Sequence, residues 1–326
     1  MTKYIENWVY KLKIQYVQPV IDKPTKYIKS VFSTIGGIYT VSEIEEKFLK
    51  THNIFDILEN SNIFLGLFII FIFYVLYHRK KDEVSYHLDK KDISIRLKLS
   101  DILKISNSAI VIPTNTTFDT IMHDSFISEE SIQGKFQKLF YEVDFAELDK
   151  LIQISLDEQY PNPTDFEILD DRDNSKRKRY KIGTVAKITK NKVHYYFLAV
   201  ADVNKKGKPE NVSMENVTQS LGGLWDYLIK DGNSEQITIP VICTGRAGLK
   251  DGNLEDVVRE TIFSFIITSR EEFIAKGLTV CIFPLSLKEA NVTWDKLCEY
   301  LKAQCAFSIE NSKRIKRLLD EGKPVD

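Results

Sequence analysis

The feature that most constrains this chain is Ile63–Tyr77, IFLGLFIIFIFYVLY, an unbroken apolar run that stops at His78-Arg79-Lys80-Lys81. A helix apolar around its whole circumference has no face for water and must be covered by protein or lipid. Spanning a bilayer takes about 20 mostly apolar residues, with a lower limit near 17. Ser61, Asn62 and the Ile57-Leu58 pair extend the run upstream, and the basic residues after it can snorkel to headgroups. The aromatic density and the abrupt basic stop predict a spanning helix over 61–78 rather than a buried core helix. The run begins too far from Met1, and lacks the small-residue cleavage site, to be a signal peptide.

A weaker segment, 27–41 (YIKSVFSTIGGIYTV), mixes apolar residues with Ser30, Ser33, Thr34, Gly36, Gly37 and Thr40. Charge gives it meaning. Residues 1–30 carry Lys3, Lys11, Lys13, Lys23, Lys26 and Lys29 against Glu6 and Asp22; residues 42–62 carry Glu43, Glu45, Glu46, Asp56 and Glu59 against Lys47 and Lys50. Lys and Arg favour the cytoplasmic side. The basic–acidic–basic order predicts a transmembrane helical hairpin (27–41 and 61–78) with both ends inside; a single span, with residues 1–45 at the interface, is the alternative. Small hydroxyl residues suit close packing in an oligomer. At the N-terminus Ile5, Trp8, Val9, Leu12 and Tyr16 form an amphipathic helical stripe before Pro19. It could lie on a membrane surface or pack on a neighbouring subunit.

Residues 1–81 are thus expected to be a membrane region, 82–92 a polar linker, 93–310 one folded domain and 311–326 a polar tail. Net charge is −1, which does not suggest a nucleic-acid partner. The basic run Lys176–Arg179 adjoins Asp170, Asp171 and Asp173 and reads as a solvated loop. Cys243, Cys281, Cys298 and Cys305 have no metal-ligand spacing, and the five histidines do not cluster. No metal site follows. Free thiols in apolar surroundings fit a reducing compartment, so a cytoplasmic head is expected.

In the head, strands are predicted at 93–97, 108–113, 181–188, 193–203, 237–243 and 278–284, and helices at 131–141, 145–154, 214–230, 254–270 and 294–303. Strands alternating with helices give an α/β fold, a mixed sheet covered on both faces. Ligands of such sheets bind beyond the carboxyl ends of the strands. Two loops belong there: Pro113-Thr114-Asn115-Thr116-Thr117, and Thr244-Gly245-Arg246-Ala247-Gly248-Leu249. Glycines admit close backbone approach and consecutive amides can hold an anion. Arg246 could add a charge-assisted contact or be an ordinary solvated loop residue.

SAIVIPTNTTFDT, then SIQGKF, then YKIGTVAKI, then IPVICTGRAGL resemble in this order the macro domain, and specifically the divergent macro-like branch found behind N-terminal membrane helices in bacteria. The resemblance covers about residues 93–305. The arrangement is similar to the transmembrane-macro effectors of type II Thoeris antiphage systems. The resemblance implies a macro-like three-layer mixed sheet flanked by helices. It also implies an ADP-ribose-derived signal, such as a histidine–ADP-ribose conjugate, made from NAD by a Toll/interleukin-receptor (TIR) enzyme. The expected response is homo-oligomerisation and disruption of the bacterial inner membrane, with no resident cofactor. Residue by residue, Thr114, Asn115 and Thr116 match the positions facing the ribose and adenosine. Ser131, Gln133 and Gly134 match the loop by the diphosphate and distal ribose. Thr244, Gly245, Arg246, Ala247 and Gly248 match the diphosphate loop, and Ile182-Gly183-Thr184 either shapes the pocket or is a plain structural strand. Hydrolytic macro domains carry a Gly-rich loop where this chain has Glu129-Glu130-Ser131-Ile132-Gln133-Gly134. Asp119, Asp124, Glu129 and Glu130 are carboxylates without an evident partner, expected to be solvated. A binding protein is expected, and a membrane-tethered ADP-ribosyl hydrolase is the alternative.

Overall fold

The computed structural model describes residues 2–44, 47, 62–88, 92–122, 126–142, 145–171, 176–245 and 248–320. The chain divides into two compact units, Met1–Asp82 and Glu83–Asp326.

The first unit is helical: α1 (Thr2–Leu12), a π-helical turn (Lys13–Val17), α2 (Gln18–Asp22), α3 (Pro24–Ile44) and α4 (Asn62–Tyr77). The rings of Tyr27 on α3 and Tyr74 on α4 meet edge to face at 5.3 Å. Lys80 Nζ pairs with Asp22 Oδ2 at 2.9 Å, and the Lys80 amide donates to the Gln15 carbonyl at 2.9 Å. The expected transmembrane hairpin finds no support among the described residues. Among the described residues no helix is long and apolar enough to cross a membrane. Helix α3 has the length but carries Lys26, Lys29 and several hydroxyls. Helix α4 is apolar throughout but has 16 residues, roughly 24 Å at about 1.5 Å per residue, against a hydrocarbon core of about 30 Å. Most of the acidic segment (Glu45, Glu46, Asp56, Glu59) and the upstream extension at 57–61 lie outside the described residues.

The second unit is the expected α/β head. Its elements are β1 (Glu83–His87), β2 (Ser94–Leu99), β3 (Ala109–Asn115), α5 (Ile132–Phe140), α6 (Phe145–Gln159), β4 (Phe166–Ile168), β5 (Lys178–Tyr180), β6 (Val185–Lys190), β7 (Val193–Val203), β8 (Pro209–Glu210), α7 (Met214–Asp231), β9 (Gln236–Pro240), α8 (Leu254–Glu271), β10 (Gly277–Ile282), α9 (Pro284–Glu289) and α10 (Trp294–Asp320). The sheet order is β1-β2-β10-β9-β3-β7-β6, with β8 on β7 and a separate β4–β5 ribbon. Strands β2, β10, β9, β3 and β7 are parallel; β1 and β6 close the edges antiparallel.

Successive side chains of a strand point to opposite faces, and β7 sorts the layers accordingly. Tyr195 and Phe197 pack on Phe136 of α5, in a core shared with Leu148 and Ile152 of α6. Tyr196 meets Tyr227 of α7, and Trp225 of α7 packs on Phe265 of α8 at 5.3 Å. The result is three layers, helix–sheet–helix. Two differences from expectation concern the ends. Residues 83–87, read as linker, form β1, because their backbone completes the edge of β2. The last helix runs to Asp320, well beyond the expected 303 and into the segment read as a tail.

Candidate functional site at the sheet crest

All five parallel strands end at one edge, the crest. The connection leaving β3 enters α5 on one face, and the connection leaving β9 enters α8 on the other. The boundary between β3 and β9 is therefore a topological switch point, where open α/β sheets form a ligand crevice. The ladder agrees. Strands β3 and β9 pair only at Ala109↔Ile237 and Ile110↔Thr238, whereas β3 follows β7 from Ile110 to Asn115. Among the described residues, the upper half of β3 has no ladder partner on the β9 side.

The two loops read from the sequence flank this opening. Thr114 is buried (5 % exposed), and its hydroxyl has no hydrogen-bond partner among the described residues. Thr116 Oγ1 donates to Asp202 Oδ1 at 2.9 Å. Asn115 is buried and turned onto its own loop: Nδ2 donates to Asp119 Oδ2 at 3.0 Å, and Oδ1 accepts the Asp119 amide at 3.1 Å. Asp119, expected to be solvated, is fully buried. Sequence reasoning missed its role, although Asn-x-x-x-Asp with threonines between carried the signal of a self-bonded turn. Phe118 sits inside this turn at φ 52° and is fully buried.

Ser131, Gln133 and Gly134 stand at the start of α5. Ser131 is its N-cap, with Oγ accepting the Gly134 amide at 2.9 Å. Gln133 is buried and its Nε2 donates to the Asp119 carbonyl at 2.7 Å. A Cβ on Gly134 would lie 2.1 Å from the Ser128 carbonyl oxygen, so only glycine fits. Gln133 thus braces the β3 loop from below, while Ser131 and Gly134 fix the start of the helix that carries it.

After β9, Cys243 takes φ 61° and its thiol donates to the Val200 carbonyl at 3.6 Å. That carbonyl belongs to the residue of β7 left over where the register slips between Thr114 and Asn115. The β9 loop is thereby drawn to the end of β3. Burial pushes the Cys243 thiol up to about 12, which disfavours its thiolate form. Thr244 Oγ1 donates to the Val241 carbonyl at 3.2 Å, and the Gly248 amide donates to the Gly245 carbonyl at 3.2 Å. Arg246 and Ala247 lie outside the described residues. Asn253 then caps α8, accepting the amides of Glu255 and Asp256.

The family model described as "Thoeris protein ThsA, Macro domain" matches residues 95–283. The chain belongs to this family. The matched residues run from β2 past the end of β10, so the ThsA macro match lies within the second unit and takes in the crest loops. No curated protein matches the chain. Solved structures similar to it include the Oceanobacillus iheyensis macrodomain with ADP (12 % identity, 70 % of this chain and 97 % of that one, TM-score 0.45). Others are the Trypanosoma brucei macrodomain in complex with ADP-ribose (10 %, 64 % and 68 %, TM-score 0.40) and the macrodomain of Thermus aquaticus DarG (14 %, 58 % and 97 %, TM-score 0.35).

A separate cavity of about 350 Å³ lies by the β6 edge, between the end of α6, the turn at Gly183 and α7. None of the crest residues lines it. Ile182-Gly183-Thr184, expected in a strand, is that turn: Gly183 has φ +88°, and a Cβ there would lie 2.7 Å from the Gln219 carbonyl oxygen. Among the described residues no group of His, Cys, Asp or Glu could hold a metal ion.

Proposed function

We propose that the chain is a ligand-gated effector of antiphage defence. The ThsA macro unit binds an ADP-ribose-type signal in the crevice between β3 and β9, and the helical unit delivers the response at a bilayer. The crevice at the switch point, on a chain of this family, is the observation that carries the reading. The ligand's diphosphate lies against the Gly245–Gly248 turn and its ribose against Thr114–Thr116. The signal comes from a TIR enzyme acting on NAD, as the resemblance to transmembrane-macro effectors implies, and a histidine–ADP-ribose conjugate is one form it takes. Binding shifts the protein toward a homo-oligomer, because only a ligand that binds two states unequally can move their equilibrium. On the bacterial inner membrane, with the macro unit cytoplasmic, assembly breaches the bilayer and halts the infected cell. Support for the membrane role comes from α4, apolar on all sides, with Phe68 59 % and Phe73 66 % exposed; a helix this short is better satisfied in an assembled bundle than alone in lipid.

The protein is a reader rather than an enzyme. The Asp119 carboxylate is already occupied by Asn115 and Thr117 inside the loop, which supports binding over proton transfer. Calorimetry with ADP-ribose tests the site: Arg246→Glu abolishes binding while the fold is retained, and undiminished affinity in that variant refutes the assignment. Turnover of ADP-ribosylated protein by the purified chain would instead establish the hydrolase reading.

A further inference from the structure

Helix α1 is mounted with the first part of its apolar stripe outward, while Leu12 and Tyr16 at the far end of the stripe are half-buried. Asn7, Tyr10 and Lys11 are half-buried toward the rest of the first unit, and Ile14 and Gln15 in the turn that follows are buried. Lys11 Nζ pairs there with Asp82 Oδ2 at 2.6 Å. The opposite side presents Tyr4 (46 % exposed), Ile5 (57 %), Trp8 (61 %) and Val9 (52 %) to the outside. A helix that served only to cover its own protein would turn this face inward. The stripe therefore has a partner outside the unit.

Charge selects the partner. Between residues 2 and 30, Lys3, Lys13, Lys23, Lys26 and Lys29 are exposed, against Glu6 and an Asp22 already paired with Lys80; Arg79 is exposed too, and the other acidic residues of this unit, Glu43 among them, begin only at the end of α3. A second copy apposed through the same residues 2–30 would set like charge against like charge. An anionic bilayer surface attracts this set. Tyr and Trp at the edge of an apolar stripe suit the headgroup level, where one end of each ring is wet.

We propose that α1 is an interfacial helix that lies in the plane of an anionic bilayer, with Ile5, Trp8 and Val9 at the acyl boundary and the lysines among the headgroups. The inference rests on the bilayer reading of the first unit and adds the face, the orientation and the lipid charge.

Trp8 makes the test direct, because Trp225 and Trp294 are buried (1 % and 4 % exposed). The full chain is reconstituted into vesicles of phosphatidylcholine with phosphatidylglycerol, and into phosphatidylcholine alone. On the anionic vesicles Trp8 emission shifts to the blue, brominated lipid quenches it, and acrylamide quenching falls. Trp8→Phe removes that shift, and Ile5→Asp with Val9→Asp abolishes it while the chain still floats with the vesicles. A chain that floats while Trp8 stays open to acrylamide and untouched by brominated lipid overturns the proposal and leaves the bilayer reading standing. A chain that does not float overturns both. Protection of Trp8 that grows with protein concentration in detergent without lipid assigns the stripe to a second copy and overturns the proposal.

Discussion

Asn115 and Asp119 hold each other: the Asn115 amide donates to Asp119 Oδ2 at 3.0 Å, and the Asp119 backbone amide returns a 3.1 Å bond to Asn115 Oδ1. Thr117 Oγ1 adds a 2.6 Å bond to the same carboxylate oxygen. The turn is closed upon itself before any ligand arrives. Asp119→Ala strands the buried donors of Asn115 and Thr117, each at a cost of about 1–3 kcal/mol. The variant should unfold at clearly lower urea than wild type and bind ADP-ribose more weakly. Asp119→Asn, which keeps one acceptor, should lose less. An unchanged urea midpoint for Asp119→Ala would show that the network does not hold the loop.

Two glycines, Gly183 and Gly222, should respond with opposite sign. A Cβ at Gly183 meets the Gln219 carbonyl oxygen at 2.7 Å, with φ at +88°. Gly183→Ala should therefore cost about 1–3 kcal/mol. Gly222, inside α7, has nothing within 4 Å of an added Cβ, and Gly222→Ala should add about 0.5–1 kcal/mol through helix propensity. Thermal denaturation of both variants gives the comparison; equal signs would contradict it.

Glu255 links α8 to α10. Its carboxylate lies 2.6 Å from Lys296 Nζ and 2.5 Å from Arg259 Nη2. The Lys296 hydrogen bond, then Arg259, holds it below its ordinary value of 4.5. A carboxylate depressed in the folded state contributes stability that is present above the ordinary value and is lost as pH falls through the folded one. Glu255→Gln should cost about 1–2 kcal/mol at neutral pH, and the gap from wild type should close under acid. A gap that is constant with pH would remove the ion pair from the account.

Ser131 is a cap before it is a ligand contact. Its Oγ accepts the Gly134 amide at 2.9 Å and donates to the Ser128 carbonyl at 2.6 Å. Ser131→Ala should cost about 1 kcal/mol, read by chemical denaturation, and Ser131→Thr should restore most of it.

Much of the head was legible because local pattern and tertiary role agree there. The aromatic, β-branched run His194–Val203 is one strand, with its ends where the pattern puts them. Helix α7 begins at Met214, and the helix expected from Leu254 begins there, after its Asn253 cap. Legibility failed where backbone position outweighs side-chain pattern. Lys181–Thr184 has strand composition, yet the contact of Gly183 with α7 turns the chain, so β6 starts only at Val185. Glu83–His87 is polar, yet pairs with β2 because an edge strand needs only backbone bonds.

The sequence alone determined the order of the main strands and helices of the head, the macro resemblance, the two crest loops and the apolar extreme at Ile63–Tyr77, since each is a property of neighbouring residues. Only the tertiary structure decided what those residues face. It turned Asn115 onto a buried Asp119, made Gln133 a brace under the loop, made Ser131 and Gly134 the start of α5, drew Cys243 to the bulge of β7, and set Ile5, Trp8 and Val9 of α1 outward. Facing depends on partners distant in the chain, and hydrogen bonds and close packing select among them only once the layers have come together.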